Sequence, residues 1–226
     1  DSISKVQAQE AKESVLSEST RTRAQKLSDP KQDDASKKSQ YVIVLDAGHG
    51  GKDEGAVSDD GKLEEKEYNL AVVKEIARLL EQSGVKVYCT RTTDRTVSKK
   101  ARVRLANKRQ ADMLVSVHCN ASDARKHSVR GIEVLYSKRD NGAGYTNKQL
   151  AAKLLKKTVA ATGLPARGVI RREDLYLMHH AKVPAVIVET GYLTNPSDCL
   201  YMRQEKGIRQ TAWGIYQAVM ETLEKY

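Results

Sequence analysis

The chain has 226 residues, of which 39% are apolar and 30% are charged, and its formal net charge is +10. An apolar share this low predicts that part of the chain lies outside any packed core. No stretch approaches the roughly 18 apolar residues that a membrane-spanning helix needs, and no signal peptide is visible in this sequence. Three cysteines without a CxxC pair predict neither a disulfide framework nor a cysteine zinc site.

The first forty residues differ in composition from the rest of the chain. Residues 1–40 contain no aromatic residue and few branched apolar ones, so they cannot bury enough surface to offset their ordering entropy. We therefore expect a disordered tether over 1–40 and a single domain over 41–226. The tether holds eight basic and seven acidic residues, which leaves about +9 for the domain. That charge favours an anionic partner without distinguishing nucleic acid, anionic lipid and the bacterial wall.

From Tyr41 onward, apolar strand-like runs alternate with amphipathic segments of helical spacing. The predicted strands are Tyr41–Asp46, Val85–Arg91, Met113–His118, Gly131–Ser137 and Ala185–Thr190. The predicted helices are Glu67–Gln82, Val97–Gln110, Tyr145–Ala161 and Gly207–Leu223. This alternation predicts an α/β domain of three layers, with a central sheet, mostly parallel or mixed, that is flanked by helices.

Polar residues that can bind a metal follow three of the predicted strands. His49 lies among glycines after the first strand, His118 ends the third, and Glu189 ends the last. Sites in open α/β sheets form in the crevice beyond the strand ends, so these three side chains should meet. Catalytic zinc sites commonly use two histidines and one carboxylate, with a fourth position left for water. A further carboxylate is then needed, because one acid binds metal and another serves as general base.

A series of short segments over residues 41–226 matches the pattern of one enzyme family. The segments are VIVLDAGHGGKDEGAV at 42–57, EKEYNL at 65–70, TR at 90–91, R at 102, AN at 106–107, ADMLVSVHCNA at 111–121, GIEV at 131–134 and PAVIVETGYLTN at 184–195. Their order and spacing hold over the whole domain, which resembles the catalytic domain of the zinc-dependent N-acetylmuramoyl-L-alanine amidases.

The resemblance implies that His49, Glu65 and His118 bind zinc and that Glu189 is the catalytic carboxylate. Glu64 competes with Glu65 for the ligand position, because both precede Lys66. The family's Glu-Lys-x-x-Asn-Leu pattern fits from Glu65 without a gap, so we assign Glu65.

Other positions of the family pattern are open to more than one interpretation. Asn120 and Arg102 could bind substrate or orient the ligands, and a structural role is equally compatible with the pattern. Asp46 could cap the loop or orient His49. The family usually has Phe where this chain has Tyr192, and the chain contains no Phe at all.

The implied function is hydrolysis of the amide bond between N-acetylmuramic acid and L-alanine in peptidoglycan, by a zinc-activated water with Glu189 as general base and acid. The expected location is extracytoplasmic, and the expected state is a monomer. No separate wall-binding module is visible, so targeting depends on the tether or on an accessory protein. A short domain behind a tether is compatible with the amidases of sporulation and germination.

Three alternatives predict different observations. A zinc peptidase that cuts within the stem peptide would leave the sugar–peptide amide intact. A binding module without catalysis would lack one of the four site residues, and all four are present. A nucleic-acid binder is suggested only by charge, without the interleaved aromatics or recognition motif of such proteins, so no nucleic-acid partner is expected.

Removal of the tether should leave hydrolysis intact, because its composition cannot support a core. A variant that starts near Lys38 is expected to fold and to cleave soluble muropeptide like the full chain. Activity and thermal unfolding of the two chains check this. A large fall in the melting temperature on truncation would show that the segment docks on the domain.

Overall fold

The protein is described from a computed structural model that covers residues 41–123, 127–139 and 141–226. The tether predicted over 1–40 lies outside these residues and stays a prediction. Within them, six strands and six helices follow one another along the chain, with two strands in succession at β3–β4 and two helices in succession at the carboxyl end. The strands are β1 (Val42–Ala47), β2 (Lys86–Cys89), β3 (Met113–Asn120), β4 (Ile132–Tyr136), β5 (Ala166–Arg171) and β6 (Ala185–Tyr192). The helices are α1 (Glu65–Gln82), α2 (Lys99–Arg109), α3 (Asn147–Thr162), α4 (Tyr176–His180), α5 (Pro196–Met202) and α6 (Glu205–Lys225).

The strands form one sheet in the order β2-β1-β3-β6-β4-β5. Strands β2, β1, β3 and β6 are parallel to one another, whereas β4 pairs antiparallel with β6 and parallel with β5. The sheet is therefore mixed, which confirms the predicted fold class. The reversal brings the amino end of β4 to the edge where β1, β3 and β6 have their carboxyl ends.

Helices cover both faces of the sheet. Successive strand residues point to opposite sides of the sheet, so each face contributes apolar side chains that pack against helices. On one face Ile43 and Val115 pack in the cluster that contains Val73 of α1, Leu154 of α3 and Ile215 of α6. On the other face, Val44, Leu114 and Ile187 pack with the buried residues of α2 and α4. The expected three layers are confirmed, and no helix of the described residues is long and apolar enough to cross a bilayer.

No helix or strand is predicted over residues 162–184, although they contain β5 and the short helix α4. Strand β5 has the sequence ARGVIR and lies at the sheet edge, where none of its residues is buried. An edge strand without a buried face has no need for the apolar alternation that reveals other strands. Helix α5 is not predicted from the sequence because it has only seven residues. Its start is nevertheless typical of a helix, with Asn195 before Pro196.

Candidate metal and catalytic site

The loop after β1 carries His49 in a left-handed backbone conformation, with φ of 58°. Such a conformation is uncommon for a residue with a side chain and persists only where its surroundings hold it. Arg102 of α2 donates to the His49 carbonyl oxygen at 2.7 Å. Arg91, which is 1% exposed, donates to the carbonyls of Ala47 and Gly48. Two buried guanidinium groups thus fix the loop that presents the imidazole.

The Glu65 carboxylate lies between two imidazoles. Its Oε1 is 2.9 Å from Nδ1 of His118, and its Oε2 is 3.2 Å from Nε2 of His49. One potential ligand atom from each of the three residues lies within 4.8 Å of the others. Glu64 is directed elsewhere, because its carboxylate pairs with the Lys66 ammonium at 3.1 Å. The geometry therefore groups Glu65, and not Glu64, with the two histidines.

Two glycines leave the space that the imidazoles occupy. A Cβ atom at Gly48 would lie 2.3 Å from the His118 ring. At Gly55, where φ is +72°, it would lie 2.5 Å from Oε2 of Glu65 and 2.7 Å from the His49 ring. Real Cβ atoms do not come so close, so the three polar side chains can converge only because these positions lack side chains.

Charge keeps Glu65 ionised despite its burial. Burial alone raises the pKa of Glu65, but hydrogen bonds and charge from His118 and His49 lower it well below the usual range. Burial conversely lowers the pKa of His49, and the hydrogen bonds and charges of Glu65 and Asp53 raise it to about 8. Burial likewise lowers the pKa of His118, but the hydrogen bond and charge of Glu65 outweigh burial and raise that pKa above its ordinary value. The two imidazoles and the carboxylate bring together donor atoms of the kinds that bind a divalent metal ion in proteins.

A buried ion pair between Asp46 and Arg102 supports the loop that carries His49. Asp46, which is 1% exposed, accepts hydrogen bonds from Arg102 at 2.5 Å, Thr90 at 2.6 Å and Ser116 at 2.7 Å. Burial raises the pKa of Asp46, but the charge of Arg102 and these hydrogen bonds lower it below its ordinary value. Asp46 is thus a structural anchor that holds Arg102, which in turn holds the carbonyl of His49.

Glu189 stands beside His118 as its register partner in the parallel pair β3–β6. Burial raises the pKa of Glu189 to about 7. Its Oε2 atom is buried and has no hydrogen-bond partner among the described residues. A carboxyl group that is poised near neutral pH and has a free oxygen is suited to accept and return a proton.

A second acid next to Glu189 was missed in the sequence analysis. Glu133 of β4 is the register partner of Glu189 in the antiparallel pair, so the two side chains lie on the same sheet face. Glu133 is ion-paired with Arg167 and accepts from the Tyr192 hydroxyl at 2.9 Å. The signal available in the sequence is that Glu133 is the only charged residue of the run GIEVLYS.

Asn120 and Arg102, the two less specific predictions, occupy different environments. The Asn120 side chain donates to Glu133 at 3.4 Å and to the Tyr192 hydroxyl at 3.2 Å. Arg102 is 7% exposed and bound to Asp46 and backbone carbonyls. Asp53 was given no role, but its carboxylate lies 2.8 Å from Nδ1 of His49 and can orient that ring.

A cavity of about 290 Å³ opens beside these groups. Its polar lining includes both histidines and Glu189, and its other walls come from the segment before α2 and from α4. The cavity lies on the α2 side of the sheet, whereas Glu65 belongs to α1 on the opposite side. The potential metal ligands thus meet at the rim of the sheet, and the cavity leads to them.

A model of the N-acetylmuramoyl-L-alanine amidase family matches residues 43–221. The chain is 36% identical over 163 residues to the N-acetylmuramoyl-L-alanine amidase LytC of Bacillus subtilis, which covers 72% of this chain and 32% of LytC. It is 36% identical over 187 residues to the probable cell wall amidase LytH of Staphylococcus aureus, which covers 82% of this chain and 58% of LytH. The chain therefore spans less than two thirds of either relative.

Solved structures give the same picture at the level of the fold. The catalytic domain of the amidase CwlV from Paenibacillus polymyxa matches with a TM-score of 0.76 and 32% identity, covering 83% of this chain and all of that domain (100%). The CwlD amidase of Clostridioides difficile, solved in complex with the GerS lipoprotein, matches with a TM-score of 0.75 and 29% identity. That match covers 82% of this chain and 99% of CwlD.

Replacement of Asp46 by Ala should destabilise the protein by about 3–5 kcal/mol, because Arg102 is left as an uncompensated buried charge. The matched control is Asp174→Ala, which removes an exposed pair with Arg172 and should leave the free energy of unfolding nearly unchanged, because exposed ion pairs contribute little to stability. Denaturant unfolding of both variants measures the difference. Equal losses would contradict a supporting role for the buried pair.

Proposed function

This chain belongs to the N-acetylmuramoyl-L-alanine amidase family, and we propose that it hydrolyses the amide bond between N-acetylmuramic acid and L-alanine in peptidoglycan. The observation that carries the proposal is the convergence of His49, Glu65 and His118 beside Glu189, at a cavity that both histidines and Glu189 line. The substrate is inferred from the family to which the chain belongs. The site contains the groups that hydrolysis of an amide needs.

The cofactor in this proposal is zinc, held by His49, Glu65 and His118. Two imidazoles and one carboxylate are the donor set of open catalytic zinc sites, and the Glu65 charge between the rings would balance the cation. Zinc in such a site supplies Lewis acidity, which activates water and polarises a carbonyl oxygen. Asp53 would keep the His49 ring oriented through its Nδ1 atom.

Glu189 is the general base and then the general acid. Its unpartnered oxygen would take a proton from the attacking water. It would return that proton to the nitrogen of the departing L-alanine, because an amide nitrogen leaves poorly unless it is protonated. Burial raises the pKa of Glu189 to about 7, and a zinc ion nearby would favour the ionised form that accepts the proton.

The remaining residues of the family pattern would act through others. Arg102 positions His49 through its carbonyl oxygen, while Asn120 and the Tyr192 hydroxyl position Glu133 next to Glu189. None of these contacts requires the substrate. We therefore assign Arg102 and Asn120 as positioning residues rather than substrate ligands.

The place of action in this proposal is outside the cytoplasm, where peptidoglycan lies. The complex of the similar CwlD with the GerS lipoprotein supports an accessory protein as partner of this chain as well. A role in sporulation or germination and a monomeric state stay predictions, because neither is tested by the fold or by the relatives.

Alanine at Glu65 should abolish zinc binding, whereas alanine at Glu64 should leave about one zinc per chain. The reason is that Glu65 faces both imidazoles and Glu64 faces Lys66. Metal analysis of both purified variants after zinc loading checks the assignment. Full zinc in Glu65→Ala together with loss in Glu64→Ala would show that the other acid is the ligand.

Glu189→Gln should retain zinc and bind peptidoglycan, and should lose about 10²–10⁴-fold in turnover, because the amide preserves shape but cannot transfer the proton. Zinc content and turnover are to be measured on one preparation. Loss of metal would identify Glu189 as a ligand, and retained activity would identify another base.

Product analysis by mass spectrometry separates the proposal from a stem peptidase. Wild-type digestion of purified peptidoglycan should release intact stem peptides and leave glycan with free lactyl carboxylates. Shortened stem peptides that remain attached to the sugar would contradict the amidase assignment.

A further inference from the structure

One lysine faces the cavity without a partner. The cavity beside Glu189 is lined by two cationic side chains, Lys99 and Arg102. Arg102 is fully engaged by Asp46 and by backbone carbonyls. Lys99 is exposed and forms no ion pair with any residue that the structure describes. Three acids share the lining: Asp46 pairs with Arg102, Asp53 pairs with His49, and Glu189 is the proposed general base and forms no ion pair with Lys99 among the described residues.

Local structure gives no reason for a lysine at this position. Lys99 is the first residue of α2, after the N-cap Ser98, and no acidic residue occurs in the first turn. The amino end of a helix carries partial positive charge, so a cation there is slightly unfavourable. The Lys99 charge is therefore available to a ligand, and its removal should not destabilise the helix.

One part of the cavity wall is apolar. The apolar residues of the lining come from the segment before α2, from β6 and from the start of α4, and include Val97, Leu175, Tyr176 and Ile187. Pockets of this kind bind small groups by apolar contact and orient them by a few placed polar groups. Lys99, which lines the cavity and is exposed, can be one such polar group.

The chemistry of peptidoglycan decides which side of the scissile bond suits this cavity. On the glycan side, the N-acetylated sugars near the amide are neutral. On the peptide side, L-alanine contributes one methyl group, and the second stem residue, D-glutamate, carries an α-carboxylate. That carboxylate is replaced by a neutral carboxamide in walls that contain D-isoglutamine. A free cation beside an apolar wall matches the peptide side with the unmodified acid.

We infer that the cavity binds the first two residues of the stem peptide and that Lys99 makes the enzyme prefer an α-carboxylate over an α-carboxamide on the second residue. This inference rests on the proposed amidase function. Lys99 is thus a specificity-determining residue that does not touch the reacting atoms, so its effect should appear in KM and not in kcat.

Two soluble muramoyl tripeptides that differ only in this group, carboxylate or carboxamide, test the inference. The wild type should favour the carboxylate substrate by about fivefold in kcat/KM, the upper range for an exposed ion pair. Lys99→Ala should raise KM for that substrate by about fivefold, leave kcat unchanged and leave the carboxamide substrate unaffected. Lys99→Arg should keep the preference, and Lys99→Glu should reverse it.

Lys100→Ala is the matched control, because Lys100 is also exposed in the first turn of α2 but does not line the cavity. It should behave like the wild type. Equal cleavage of both substrates by the wild type, or an unchanged preference in Lys99→Ala, would overturn the inference while the amidase function stands. Equal effects of Lys99→Ala and Lys100→Ala would also overturn it, in favour of general surface charge. Failure to cleave either tripeptide or peptidoglycan would instead remove the proposed function and the inference with it.

Discussion

The organisation of the site depends on the burial of one negative charge. Glu65 is 3% exposed, and an isolated buried carboxylate costs several kcal/mol unless it is paired and hydrogen-bonded. The donors that offset this cost come from separate parts of the chain: the imidazoles of His49 and His118, the amides of Ala56 and Cys119, and the side chain of Asn69. Because these donors meet at one carboxylate, they tie the loop after β1, the end of β3 and the start of α1 to one another.

A second charge on the other side of the sheet makes that arrangement rigid. Asp46 holds Arg102, and Arg102 holds the carbonyl of His49, whose left-handed backbone would otherwise be strained. Glu65 therefore acts on the His49 imidazole from one side, and the Asp46–Arg102 pair acts on the His49 backbone from the other. Two separate sets of contacts therefore fix His49, one through its ring and one through its backbone. Contacts of this kind orient the ligands of a preorganised metal site.

Glu133 and Glu189, the two acids at this end of the sheet, differ in the hydrogen-bond donors that contact them. Glu133 has Arg167, Asn120 and the Tyr192 hydroxyl, whereas Oε2 of Glu189 has no partner among the described residues. Neighbouring carboxyl groups in unequal environments take on unequal roles. Glu133 is held by these partners, whereas burial raises the pKa of the unpartnered Glu189 to about 7. Tyr192, where the family usually has Phe, adds one donor to Glu133 and leaves Glu189 untouched.

Much of the fold and of the candidate site was predictable from the sequence, because buried strands and metal-binding side chains have strong local signals. The apolar run before Asp46 and the endings at His118 and Glu189 placed three side chains at one sheet edge, and the resemblance added Glu65. The edge strand β5 had no such signal, since it buries no face. Only the tertiary structure placed Glu133 beside Glu189, because β4 runs antiparallel to β6 and its amino end, not its carboxyl end, reaches the site. The direction of a strand is decided by its pairing with distant segments, and strand-forming residues pack equally well in either direction.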